Sequence, residues 1–266
     1  MNIKNKLLNK LHSNAASVYS HIRKNYIKNL PPTLIKDGDM KKLIGLAKAD
    51  NYPEISKSEI IFVVENQKEL ETLFYHDKIN RLLELLNMSL SLDGDVIELG
   101  TYKGGTTVLM ARFLNKTNSK KTIYTYDTFE GFPYTESDTV DKVKISTGET
   151  KNKMDLFKDT SLGKVRSKFA KFAVADKIKI FKGSFDDTLP LLTDEKFSFA
   201  LVDCDIYDST LVCLREIYPR MVKGGIMLFD DYNTEKPWNL KKAVDDFVKE
   251  KNLTLYQGTM PYFRKP

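Results

Sequence analysis

Cysteine is scarce in this chain: Cys204 and Cys213 are the two among 266 residues, and both lie in apolar segments. A disulfide framework is therefore not expected, and a reducing cytoplasm suits the composition. There are three histidines, and no His/Cys cluster has the spacing of a zinc site. Long apolar runs are missing too. The longest strings, such as Ile60 to Val64, fall far short of the roughly 18 residues that span a bilayer. The first residues lack the apolar stretch of a secretory signal. Acidic residues are absent from 1–36, which carries Lys4, Lys6, Lys10, Arg23, Lys24, Lys28 and Lys36. The formal net charge of +6 thus belongs to an N-terminal arm, and the rest of the chain is close to neutral. Such an arm suits a solvated helix, an oligomer contact or a peripheral touch on an anionic surface. It has few aromatics and no nucleic-acid motif, so nucleic acid is not an expected partner.

What is present is ordinary for a globular protein with a full core: 41% hydrophobic and 29% charged residues. Pro31-Pro32 breaks any helix in the arm. Helical spacing follows in 40–49 and in 66–88, where Leu70, Phe74, Leu82, Leu83 and Leu86 share a face. Glu59 to Val64 reads as a short strand or a buried turn. From residue 95 strand-length apolar runs alternate with helical stretches. The strands are expected at Asp95–Leu99, Thr122–Tyr126, Lys177–Phe181, Ser198–Val202, Gly225–Phe229 and Leu253–Gln257. The helices are expected at 105–115, 161–174, 209–221 and 239–250. This alternation predicts an α/β fold with a mostly parallel sheet covered on both faces. Ligands of such sheets bind beyond the carboxyl ends of the strands.

Every chemical motif falls at such an end. The first strand runs into Glu98-Leu99-Gly100-Thr101-Tyr102-Lys103-Gly104-Gly105-Thr106-Thr107. Three residues separate Gly100 from Gly104, which does not fit the Gly-x-Gly-x-x-Gly of a pyrophosphate site. It suits the methionine part of S-adenosylmethionine, with helix N–H groups offered to a carboxylate. The second strand leads to Asp127, then Thr128 and Phe129. An acid there can accept hydrogen bonds from both ribose hydroxyls. The third leads to Gly183-Ser184-Phe185-Asp186-Asp187, where Ser184 and Phe185 suit adenine; alternatively Asp186 or Asp187 caps the next helix. The expected cofactor contacts are Glu98, Gly100, Thr101, Tyr102, Gly104, Thr106, Asp127, Phe129, Gly183, Ser184, Phe185 and Asp203.

The fourth and fifth strands run into Asp203-Cys204-Asp205 and Asp230-Asp231-Tyr232. Neighbouring parallel strands would gather these carboxylates at one rim, where they repel unless a cation intervenes. Oxygen-only ligands suit Mg²⁺, with Mn²⁺ or Ca²⁺ as alternatives. Asp203, Asp230 and Asp231 are assigned to the metal. Asp203 or Asp205 is assigned as the base that takes a proton from an acceptor hydroxyl. Asp208 and Ser209 are read as caps of the following helix, and Cys204 as pointing away from the acids beside it.

At these residues the chain resembles the macrocin O-methyltransferase family, which methylates sugar hydroxyls of antibiotics and other glycosylated metabolites. The resemblance runs from about Asp95 to the C-terminus. It rests on Glu98–Gly105, Asp127–Pro133, Gly183–Pro190, Asp203–Thr210, Tyr218-Pro219-Arg220 with Gly224-Gly225, Asp230-Asp231-Tyr232, Ala243–Phe247 and the closing Tyr262-Phe263-Arg264-Lys265. It implies a Rossmann-like class I methyltransferase with a seven-stranded, mostly parallel sheet in 91–266, after a helical extension in 1–90. It also implies a Mg²⁺-dependent enzyme with the metal at the matching aspartates, and a homo-oligomer (dimer or tetramer). Three features depart from the family. Cys204 stands where the family has glycine, Asn233 to Trp238 replaces its usual continuation, and 1–94 match poorly. The expected acceptor is a sugar hydroxyl in a glycosylated metabolite or surface polysaccharide, with a catechol-type phenol as the alternative. The segment 134–160 reads as a lid or as a surface insertion. Asp203-Cys204-Asp205 alone would also suit a metal-dependent glycosyltransferase, which leaves the glycine turn and Asp127 unexplained. A non-enzymatic binding module has no use for intact acids at every strand end.

Overall fold

The computed structural model describes residues 53–132, 157–233 and 240–266. The basic arm, the helix expected at 40–49, most of 134–160 and Thr234 to Trp238 lie outside the described residues. The chain divides into two compact units between Glu71 and Thr72.

In the first unit, α1 spans Glu54–Glu65 and α2 spans Gln67–Leu70. The strand or turn expected at Glu59 to Val64 is therefore helix. Its β-branched residues suggest a strand, but the buried positions Ser56, Glu59, Ile60, Val63 and Val64 recur at three- and four-residue intervals. That stripe has the helical period, and it overrides the local β preference. The single helix expected over 66–88 is also interrupted. Glu71 adopts φ 55° directly after α2, which ends the helix.

The second unit holds α3 (His76–Ser89), β1 (Asp95–Leu99), α4 (Gly105–Lys116), β2 (Ile123–Asp127) and α5 (Leu162–Lys171). There follow β3 (Ile178–Lys182), α6 (Phe185–Thr188), β4 (Phe197–Val202), α7 (Tyr207–Ile217), β5 (Met221–Phe229), α8 (Leu240–Glu250) and β6 (Tyr262–Arg264). The sheet order is β3-β2-β1-β4-β5-β6, with β6 alone antiparallel. This is the expected Rossmann-like arrangement, with one correction. Six strands are present among the described residues, not seven. Leu253–Gln257 forms no ladder; Tyr256 makes one isolated bridge to Tyr262, and the strand beside β5 is the short β6.

The central strands β1 and β4 are buried on both faces because helices cover both. Ile97, Leu99, Ala200, Val202, Met227 and Phe229 pack with Cys213, Leu214 and Ile217 of α7 and with Val244 and Phe247 of α8. Residues between them point the other way by strand alternation; there Glu98 receives Thr107 of α4, and α3 runs against β4 and β5. In α8 the buried residues Leu240, Ala243, Val244 and Phe247 form one face. At the sheet's edge β3 is only partly buried and carries Lys179 and Lys182. Charged side chains on an edge strand discourage further pairing. Parallel β1, β2, β4 and β5 point their carboxyl ends to one rim.

Candidate active site

The rim is tied together by backbone hydrogen bonds that continue past the strand ends. Gly100 N–H donates to the Tyr126 carbonyl at 3.0 Å, Asp203 N–H to Leu99 at 2.8 Å and Asp230 N–H to Val202 at 3.0 Å. The turns after β1, β2, β4 and β5 are thereby held in register.

The glycine turn is tight for a reason internal to the protein. Gly100 has φ 104°, and a Cβ there would lie 2.0 Å from the Asp203 carbonyl oxygen. Gly104 has φ 76°, and its Cβ would meet Phe169 and Val165 of α5. Both positions need glycine to let neighbouring protein approach. Asp127 then locks the turn. Its Oδ2 accepts from Thr101 N–H at 2.9 Å and Tyr102 N–H at 2.7 Å, and its Oδ1 from Phe129 N–H at 2.6 Å. Burial raises the Asp127 pKa, and the three N–H groups and the Thr128 side chain pull it back part of the way. Beneath the turn, Glu98 is buried with Oε2 accepting from Thr107 and from Thr125 at 2.7 Å, while Oε1 has no hydrogen-bond partner. Burial pushes its carboxyl up to about 7 against these two donors.

Thr101 Oγ1 pairs with Thr125, and Thr106 Oγ1 with Thr72 at 3.1 Å. Phe129 is buried with φ 56°. The Tyr102 hydroxyl donates to Asp159 at 2.6 Å, Lys103 pairs with Asp159 at 2.7 Å, and Thr160 Oγ1 donates to the Tyr102 carbonyl at 2.9 Å. The last residues of 134–160, the segment expected as a lid or a surface insertion, therefore fasten to the glycine turn. At the end of β3, Ser184 caps α6 by accepting from Asp187 N–H at 3.2 Å. The cap is Ser184, not Asp186 or Asp187 as expected. Phe185 packs against the core and Gly183 has φ 151°. The hydrogen bonds of the Ser184 hydroxyl stay within its own turn.

Across the rim, ligand oxygens of Asp203, Asp205 and Asp231 lie within 4.8 Å of one another. Asp205 and Asp231 adopt φ 60° and 52°, a region open to aspartate. Burial raises the Asp203 pKa most, and the carboxylates of Asp230, Asp205 and Asp231 raise it further, partly offset by Lys78. Asp230 is bonded to the Lys78 ammonium, which also reaches Asp231 Oδ1 at 3.3 Å. Lys78 was not among the residues expected from sequence. Cys204 turns into the core, its Sγ 3.3 Å from that of Cys213. Asp208 and Ser209 lie inside α7 rather than at its cap, which is Ile206.

The residues fit both S-adenosylmethionine and a divalent cation. The first turn of α4 has no side-chain cap, leaving N–H groups for a carboxylate. The Asp127 carboxylate has about four lone-pair positions, more than its three N–H donors use. The aspartates offer a hard, oxygen-only donor set at mutual distances that one cation can bridge.

The profile of the family described as macrocin-O-methyltransferase (TylF) matches residues 76–260. The chain belongs to this family. The match begins at the first residue of α3, earlier than Asp95, so the family includes the helix that carries Lys78; it stops short of Tyr262-Phe263-Arg264-Lys265. Mycinamicin III 3''-O-methyltransferase of Micromonospora griseorubida is 28% identical over 166 residues, 60% of this chain and 65% of that protein. Demethyldecarbamoylnovobiocin O-methyltransferase of Streptomyces niveus is 29% identical over 164 residues, 59% of each. The matched stretch is less than two thirds of either relative's own length. The solved structure of the O-methyltransferase NovP superposes with a TM-score of 0.62 at 24% identity, covering 85% of this chain and 96% of that one, and shares its fold. Among the described residues no helix is long and apolar enough to cross a membrane.

Proposed function

We propose that this member of the macrocin-O-methyltransferase family moves a methyl group from S-adenosylmethionine to a hydroxyl of a sugar, in a glycosylated metabolite or a surface polysaccharide. One observation carries the reading: the Asp127-locked glycine turn and the cluster of Asp203, Asp205 and Asp231 share one rim, joined where Gly100 packs on the Asp203 backbone. The transfer to oxygen follows the names of the two relatives above, and the sugar follows from the resemblance to the macrocin family.

On this reading the free N–H groups of α4 receive the carboxylate of the methionine part. Asp127 accepts from the ribose hydroxyls with the lone pairs its three backbone donors leave. Ser184 and Phe185 flank the adenine. Asp203 and Asp231, with Asp205 and Asp230 beside them, would hold a divalent cation, Mg²⁺ by donor chemistry. When bound, the cation lowers the pKa of a hydroxyl and orients it. A carboxylate oxygen of Asp203 or Asp205 takes the acceptor's proton. The rigid rim aligns the acceptor oxygen with the methyl carbon and sulfur. We also read the chain as a homo-oligomer, which light scattering tests directly.

The deciding experiment supplies methyl-labelled cofactor with glycosylated and nucleotide-linked sugars, with and without chelator. Transfer that stops in chelator and returns with Mg²⁺ is the expected result. Full transfer in excess chelator removes the metal from the mechanism, and transfer to simple catechols but to no sugar removes the acceptor class.

A further inference from the structure

Lys78 has no part in the roles assigned so far. It sits in the first turn of α3, its side chain 11% exposed, with Nζ paired to Asp230 and lying 3.3 Å from Asp231 Oδ1. The ammonium also lies 5.2 Å from the centre of the Phe74 ring and 5.8 Å from that of Tyr75, within reach of cation–π attraction. Burial disfavours its charge, but Asp230 and Asp231 outweigh burial and hold its proton above the usual lysine range, with a smaller contribution from Asp203. The side chain is thus a fixed monocation, held on two of the acids that the reading above turns toward a metal.

Charge balance gives this position a meaning. Asp203, Asp205, Asp230 and Asp231 together bring four negative charges when ionised. Unbalanced, such a group costs folding free energy through mutual repulsion and lost hydration. One ammonium relieves part of that cost. A dication at the same carboxylates relieves more, but it must approach a positive charge already seated there.

We propose that Lys78 is the built-in counter-cation of the aspartate rim: its ammonium holds Asp230 and Asp231 while no metal is bound, and a divalent ion must push it aside to engage them. The inference rests on the metal reading of the rim. It makes Lys78 a positioning residue that sets how tightly, and how exchangeably, the protein holds its metal. Removing the charge has two opposite effects. The metal-free protein loses a buried partner for Asp230 and becomes less stable. The metal-bound protein loses a repulsion between two nearby cations, so metal binds more tightly. A lysine that merely braced the ligands would give weaker metal binding instead.

The test follows thermal unfolding of the full chain, wild type against Lys78→Met, in chelator and across a Mg²⁺ titration. Lys78→Met is expected to melt several degrees lower than wild type in chelator, to gain more from Mg²⁺, and to reach half-saturation at roughly tenfold lower Mg²⁺ or less. Lys78→Arg keeps the charge and is expected to titrate as wild type does. Should Lys78→Met not fold in chelator, Lys78→Gln, which still donates to Asp230, gives the same comparison; folding that appears only with Mg²⁺ supports the proposal. Wild type responding to Mg²⁺ while both neutral variants respond equally or more weakly overturns it and leaves the metal reading standing. No response to Mg²⁺ or Mn²⁺ in any variant overturns both. Neutral variants that stay unfolded in saturating Mg²⁺ overturn the counter-cation role, because the metal then fails to substitute for the ammonium.

Discussion

The two halves of the rim solve opposite electrostatic problems. On the β1–β2 side the acid at the rim, Asp127, is met by three backbone N–H groups, and Glu98 beneath it is held by Thr107 and Thr125. On the β4–β5 side several acids are crowded together, and a lysine from α3 answers two of them. The first half is held by donors of the fold itself, so its turn is preorganised. In the second half the carboxylates around Asp203 repel one another, and Lys78 offsets part of that repulsion. A preorganised half should tolerate ligand removal, whereas a charged half should change stability with what is bound.

Neutralising one acid of the crowded half tests the contrast most severely. Asp203→Asn is expected to lower methyl transfer by about 10²–10⁴-fold, the usual worth of a proton-accepting group. Its melting temperature in chelator should stay level or rise, because a repulsion is gone; transfer within twofold of wild type would remove Asp203 from the chemistry. Gly100→Ala strikes the seam between the halves. With φ 104° and a Cβ 2.0 Å from the Asp203 carbonyl oxygen, it should cost roughly 4 kcal/mol in urea unfolding, and a loss under 1 kcal/mol would mean the seam yields.

Glu98→Gln sharpens the preorganised side through pH. The folded pKa near 7 lies above the ordinary 4.5, so the folded state binds this proton more tightly than the unfolded chain. The protonated carboxyl therefore favours folding at low pH, and that contribution is lost as pH rises from about 4.5 to about 7, flat above. Glutamine should remove this decline, worth at most about 3 kcal/mol, seen as a difference in stability profiles; parallel profiles would mean that Glu98 ionises normally. Asp127→Ala is expected to cost about 2 kcal/mol by stripping acceptors from Thr101, Tyr102 and Phe129, and to weaken cofactor binding roughly tenfold by calorimetry. Unchanged affinity would confine Asp127 to holding the turn.

The sheet was legible because its strands are short apolar runs between turn residues, as at Asp95–Leu99, and the acids stood out because each follows such a run. The α1 stretch misled because Ile60 to Val64 looks locally like a strand, while its buried partners lie three and four residues apart. The short β6 carries too few residues for a periodic signal. Lys78 could not be found from pattern at all. A lysine on an amphipathic helix normally faces solvent, and nothing near it in sequence marks the acids it meets. Only the docking of α3 on β4 and β5 brings them together.

That docking has a consequence for how the chain comes to be folded. Lys78 and Asp231 are separated by 153 positions, so a chain made from its N-terminus exposes the lysine long before its acids exist. Closing a loop of that length costs conformational entropy that the packing of α3 on the sheet must offset. The charge balance of the rim therefore cannot be set until β5 has been made, because Lys78 has neither Asp230 nor Asp231 to meet before then.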